Sequence, residues 1–365
     1  MDDTPLVSDA VALTLVKVFQ IPSNVLFTIL GIVGNVVNIV VFSKLNPKDT
    51  MTISLCALAV SDLLYAIFSF PFLIVNFYNL GGIYSLHNVN LSSLMWVFAS
   101  YQKPLFQKIS ATITAFVSCE RSVCVVKPFL VKQLFTKRRV LIALVGIFVF
   151  WIALFMPVFA TAKLVWKYPF NKTSPVLVFQ TTPKRAAAES FVQLFLGFPI
   201  EVTNQVIIVI SSVFMAAGLK RHQKFRQSAS SRTEDDLTAD GKTDGQRKRL
   251  KDTSAQTTSF TAAVTAAEAA VAKEQRLIRT VLALAVIHIL VHCPILAFKI
   301  AVYIIPDLRA SRGSRRYTNL YRICIGALNW MLSLNGVINF FVYVKVNTKF
   351  RTVFGKMFFQ QESSK

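Results

Sequence analysis

Residues 109–129 read ISATITAFVSCERSVCVVKPF. A long apolar run closes there on a Glu120-Arg121 pair and opens into a loop with Lys127, Lys132, Lys137, Arg138 and Arg139. Ionised side chains within an apolar segment are costly and need partners, so a pair placed where such a run meets a basic loop marks a boundary between hydrocarbon and water. The whole chain fits this reading: of 365 residues, 54% are hydrophobic and 16% charged, and the mean hydropathy is +0.52. A water-soluble protein of this length is rarely so apolar.

Seven apolar stretches are long enough to cross a bilayer, at about 20 helical residues each: 25–41, 54–75, 93–125, 140–162, 191–219, 276–305 and 323–346. Backbone N–H and C=O groups in lipid must be paired within a segment, and the alternation of a membrane β-strand is absent, so all seven are expected to be helices. The fold class is an all-α membrane protein, a seven-helix bundle over 25–346 with a tail at 1–24. Residues 220–273 form a long loop, expected to be disordered in its first half and helical in its Ala-rich second half. Residues 347–365 add a short amphipathic helix and a tail.

Lys and Arg near span ends are held on the cytoplasmic side. Lys44 and Lys48 after the first span, with the basic loop after the third, put the N-terminus outside the cell and the C-terminus inside. Two glycosylation sequons, at Asn90 and Asn171, then fall in extracellular loops. Arg309, Arg312, Arg315, Arg316 and Arg322 run against the rule on the outer side. The net charge of +22 sits in loops bracketing the spans rather than on one soluble face, which argues for anionic lipid headgroups and not for nucleic acid.

The polar residues inside the spans follow an order. The first span has Asn35 after a glycine, the second LAVSD ending at Asp62, the third ERS with Arg121, and the fourth Trp151. Pro199 stands in the fifth, VHCP with Pro294 in the sixth, and NFFVY, Asn339 to Tyr343, in the seventh, with Phe350 beyond it. In order and spacing these motifs resemble those of rhodopsin-like, class A, G-protein-coupled receptors over nearly the whole chain. The texture of CERSVCVVKPF with VINFFVY is most similar to invertebrate chemosensory receptors of the molluscan type, which are related to peptide receptors. The resemblance implies a receptor in the plasma membrane that binds an extracellular ligand, a chemosensory cue or a peptide, and activates a heterotrimeric G protein.

It also implies site residues. Glu120, Arg121, Asn339 and Tyr343 fall on switch and coupling positions, and Glu274, twenty residues before Pro294, falls where some relatives lock the sixth span to the arginine; the alternative is a solvated Glu274 and a Glu120 that merely neutralises Arg121. Asn35, Asp62, Ser110, Asn335 and Asn339 match a polar network that holds an allosteric sodium ion, with Asp62 and Ser110 as its ligands, or else a water-filled network. No other cofactor is implied. Phe340 departs from the family's proline, His292 from its tryptophan, and Trp96 from its cysteine, so the usual extracellular disulfide is expected to be missing.

Helical spacing sets Lys103, Gln107 and Ser110 on one face and turns Lys108 away by about 140°, toward Glu201 on the fifth span. Lys103, Gln107, His292 and Lys299 are the candidate ligand pocket, whose basic character suggests an anionic ligand; Lys299 and Arg322 alternatively snorkel to the interface. A retinal-binding relative would need a lysine deep in the seventh span, where Ser333 stands. Enzyme chemistry is not indicated, because His87, His222, His288 and His292 do not form metal-ligand spacings and no nucleophile-base motif occurs. A multi-span transporter or channel is the alternative, although no repeat relates the two halves.

Overall fold

The computed structural model describes residues 5–45, 49–71, 73–74, 85–86, 89–90, 93, 101–168, 174–239, 254–308 and 315–359. Seven helices in it are long and apolar enough to cross a membrane: Asp9–Lys44, Thr50–Ile67, Gln102–Val126, Lys137–Ala160, Arg185–Arg221, Glu274–Ile304 and Arg316–Val346. They correspond one to one with the expected spans, here called first to seventh. The third lies at the centre, packed against the second, fourth, fifth and sixth, and 67% of its apolar window is buried against 22% for the fourth and the seventh. That difference makes the third span the frame on which the polar residues converge.

Several helix ends differ from expectation, each for a local reason. The first span starts at Asp9, not near residue 25, because the Ser8 hydroxyl caps it by accepting from Val11 N at 3.3 Å. Asn319 of the seventh span anchors this end, its Nδ2 donating to Asp9 Oδ1 at 2.7 Å and to the Val7 carbonyl at 2.9 Å. The second span starts at Thr50, with the Asp49 carboxylate accepting from Met51 N at 3.3 Å. The fifth span starts at Arg185, and a π-helical segment, Phe191–Gly197, leads into its main helix, Phe198–Ala239.

The first half of the 220–273 loop is not disordered as far as it is described: that main helix runs on to Ala239. A helix already nucleated by a packed span needs only propagation to lengthen, and no proline or glycine occurs from 220 to 239. Residues 240–253 lie outside the described residues. The Ala-rich half is helical as expected, in one helix, Ser254–Ile304, that includes the sixth span.

The seventh-span helix, Arg315–Val346, runs unbroken past Phe340, and Arg322 therefore sits in its early turns. Asn347 then caps the short helix Thr348–Phe358, accepting from Phe350 N at 3.2 Å. Phe350 is fully buried, with ring centroids 5.3 Å from Phe42 and 5.6 Å from Tyr343, while Phe340 stands 5.8 Å from Phe354. Phe340 thus holds the amphipathic helix to the bundle where a proline offers no comparable ring.

The loops at the opposite end carry strands that the sequence reading passed over: β1 (Ser85–Leu86), β2 (Val89–Asn90), β3 (Ala162–Lys167) and β4 (Val176–Thr181), in spatial order β1-β2-β4-β3. β3 and β4 form a hairpin from Ala162 opposite Thr181 to Lys167 opposite Val176, and β2 pairs parallel with β4 at Val89 and Leu177. Backbone pairing therefore ties the loop before the third span to the loop after the fourth. All five cysteines are free thiols. Trp96 lies outside the described residues.

Candidate functional site

At the end of the third span away from the sheet, Glu120 is fully buried and Arg121 is 7% exposed. One Glu120 oxygen, Oε1, accepts from Arg121 Nη2 at 2.8 Å and from the Thr50 hydroxyl at 2.8 Å. A single carboxylate thus holds the arginine and clamps the third span to the start of the second. Among the described residues, Glu120 Oε2 and Arg121 Nε make no hydrogen bond, so the pair is incompletely satisfied. Glu274 is exposed and makes no ion pair with Arg121 among the described residues; of the two expected arrangements, this conformation has the local one. Tyr343 is fully buried, its ring centroid 5.1 Å from that of Phe42.

Mid-bundle, Asp62 gathers the polar residues. Ser110 Oγ donates to Asp62 Oδ1 at 2.6 Å and Asn339 Nδ2 to Asp62 Oδ2 at 2.7 Å, joining the second, third and seventh spans. Asn35 Nδ2 donates to the carbonyls of Gly31, at 2.9 Å, and Gly336, at 3.3 Å, tying in the first span. Asn335 is half-buried and outside these bonds. A cavity of about 10 Å³, the room of one water-sized group, is lined by Thr28, Asn35, Asp62, Ser69 and Ser333.

On the sheet side of this network the expected pocket divides. Lys103 lies with its Nζ 5.1 Å from the Tyr65 ring, facing the second span, and Gln107 is half-buried. His292 and Lys299 line a separate cavity of about 20 Å³ with Glu201, Asn204, Gln205 and His288. Neither Lys103 nor Gln107 is among the residues that line this cavity. Lys108 Nζ meets Glu201 Oε1 at 2.6 Å, as the angular argument requires, and Lys299 Nζ meets Oε2 of the same carboxylate at 2.6 Å. Gly197 makes room for this: a Cβ there would stand 3.0 Å from Lys108 Nζ and 2.8 Å from the Val192 carbonyl.

A family model described as "7 transmembrane receptor (rhodopsin family)" matches residues 34–343. The chain belongs to this family. Among curated proteins, it is similar to "Rhodopsin, GQ-coupled" of Mizuhopecten yessoensis, at 27% identity over 217 residues. The match covers 59% of this chain and 41% of the relative, so the receptor spans about two fifths of that protein's length in the comparison. The family's members are receptors, not enzymes.

Parts of the receptor's site were not anticipated from its sequence. Ser333 is buried and its hydroxyl donates to the Asn329 carbonyl at 3.0 Å. Thr112 Oγ1 accepts from Trp151 Nε1 at 2.9 Å and Asn204 Nδ2 at 3.0 Å, joining the third, fourth and fifth spans beside the Lys108 pair. His288 and His292, one turn apart, stack with ring centroids 3.8 Å apart.

Arg185, 6% exposed, stacks its guanidinium 3.7 Å from the centre of the Tyr101 ring, and its Nη1 donates to the Val158 carbonyl at 2.7 Å and the Thr161 hydroxyl at 3.0 Å. Its Nε and the Tyr101 hydroxyl both donate to Glu189 Oε1. Burial and the bond to Glu189 push the Tyr101 phenol up, which keeps it a donor. The i, i+4 spacing of Arg185 and Glu189 was the available signal.

Proposed function

We propose that this receptor binds an extracellular ligand on the sheet side of the bundle and activates a heterotrimeric G protein at the Arg121 end. The observation that carries the reading is the Glu120 carboxylate, which holds Arg121 and Thr50 with one oxygen. A coupling switch needs a discrete contact whose loss releases a buried group, and this pair is such a contact. The helices that extend from the fifth and sixth spans at that end supply a surface for a large partner. The relative's coupling to Gq makes Gαq the first partner to test. The direct test is nucleotide exchange on Gα by purified receptor, lost in Arg121→Ala.

The resemblance favours a chemosensory cue or peptide as ligand, in a receptor of the plasma membrane with its N-terminus outside. Lysines and arginines after the first and third spans support that orientation. Asn90 is half-buried, its Oδ1 accepting from Ser93 N at 2.8 Å, and Asn171 lies outside the described residues. Asn90→Gln and Asn171→Gln are each expected to remove one glycan-sized mass step on a gel. An unglycosylated wild type, or cleavage of the 220–253 segment by protease added outside intact cells, contradicts this orientation.

Sodium at Asp62 is part of the same reading. One carboxylate among neutral oxygens suits a small monovalent cation. Asp62 and Ser110, with Asn35 and Ser333 at the adjoining cavity, are the residues that fit it. Replacing potassium by sodium chloride at constant ionic strength is expected to raise the apparent Tm of the wild type and leave Asp62→Asn unchanged. Equal shifts in both proteins count against sodium there.

A further inference from the structure

Lys108 and Lys299 reach one carboxylate from two helices, each at 2.6 Å from a different Glu201 oxygen. No second carboxylate pairs with either lysine among the described residues, so the cluster holds two ammonium groups against one acid. The Lys108 side chain is 8% exposed and Glu201 15%, whereas Lys299 is 41% exposed. The surplus positive charge therefore has an open side, at Lys299, where the cavity with Asn204, Gln205 and His292 adjoins it. An ammonium has three donors, and Glu201 uses one from each lysine.

The segment between the fourth and fifth spans has the same sign. Residues 161–184 include Lys163, Lys167, Lys172 and Lys184 and no Asp or Glu. Basic loops around a partly dry site raise the local concentration of anions and repel cations. Lys108 and Lys299 make the cavity a poor place for a metal cation for the same reason.

We infer that the ligand of this receptor carries a carboxylate that seats beside Lys299 in this cavity, and that Glu201 is a built-in counter-charge that competes with it for the two lysines. The inference rests on the ligand-binding reading above and names the chemistry of its site. A planar two-oxygen anion is already cradled there by the protein itself. A cationic amine makes the opposite demand: it would use Glu201 as its anchor and meet two lysines of its own sign. The Glu201→Gln variant separates the two by the direction of its effect.

The test is a thermal-shift titration of purified receptor in lipid nanodiscs with butyrate and, separately, butylamine, at constant ionic strength and without G protein. Butyrate is expected to raise the apparent Tm saturably, and butylamine to leave it unchanged. Lys299→Gln is expected to weaken butyrate by about tenfold, and Glu201→Gln to strengthen it by about tenfold, through loss and gain of net positive charge. Lys299→Gln keeps the Lys108–Glu201 pair and remains informative if Glu201→Gln does not fold. A shift by butylamine that Glu201→Gln removes overturns the inference, as does a butyrate affinity unchanged in Lys299→Gln, or no butyrate shift at all. Nucleotide exchange is measured separately: failure there with an intact butyrate response removes the coupling reading and leaves this site, and the reverse removes only the site.

Discussion

Replacing Glu120 by Gln is expected to raise ligand-free nucleotide exchange by about tenfold, because a charge-assisted bond at a buried site is worth about 1.5–3 kcal/mol and each 1.4 kcal/mol is tenfold in an equilibrium. Glu120 has no exposed surface and one of its oxygens serves both Arg121 and Thr50. The amide keeps the shape and removes the charge, so Arg121 loses the one counter-ion it has at hydrogen-bond distance among the described residues. Glu274→Gln is expected to change basal exchange by less than about twofold, since exposed charges away from a partner contribute little. Both variants are compared with wild type at equal receptor amounts. The reverse order, with Glu274→Gln active and Glu120→Gln silent, would restore the bond between the third and sixth spans as the restraint that matters.

Arg185→Met is expected to cost about 2–4 kcal/mol of stability, read as a drop of several degrees in apparent Tm. Methionine preserves apolar cover for the Tyr101 ring but removes the Arg185 donors from the Val158 carbonyl, the Thr161 hydroxyl and Glu189, leaving Val158 with Thr161 alone and Glu189 with Tyr101 alone. This cluster joins the ends of the third, fourth and fifth spans, at the end where the family's usual disulfide is expected to be missing and where the cysteines are free. Lys163→Met, at an exposed strand position, serves as the control and is expected to leave the Tm in place. A Tm in Arg185→Met equal to that of the control would mean that the β2–β4 pairing alone holds this end.

Apolar runs made the seven spans legible, because lipid demands the same length and hydropathy wherever a helix crosses it. Their ends were less so: Asp9, Thr50 and Arg185 belong to helices but are polar, and the caps that include them are read only with the backbone in view. The strands AKLVWK and VLVFQT alternate weakly and are short, so they read as loop. Within the site, Asp62, Ser110 and Asn339 were found through the motif order, and Lys108 with Glu201 through helical angle. In the sequence Lys299 reads equally as pocket or interface, because a long flexible side chain bridging two helices leaves no periodic trace. Lys103 reads as a neighbour of His292 because facing inward on the third span does not say which neighbouring span a residue meets.

The most direct measurement is guanine-nucleotide exchange on purified Gαq with Gβγ by the receptor in nanodiscs, using Glu120→Gln to supply activity without a ligand. Exchange is expected above the rate of the G protein alone in Glu120→Gln, and at the receptor-free rate in the Glu120→Gln/Arg121→Ala double variant, with a Tm that shows the double variant is folded. Exchange that persists without Arg121 would contradict the switch assigned to the end of the third span. Solute flux through receptor-containing vesicles, with no exchange on any Gα, would contradict the function proposed for the molecule.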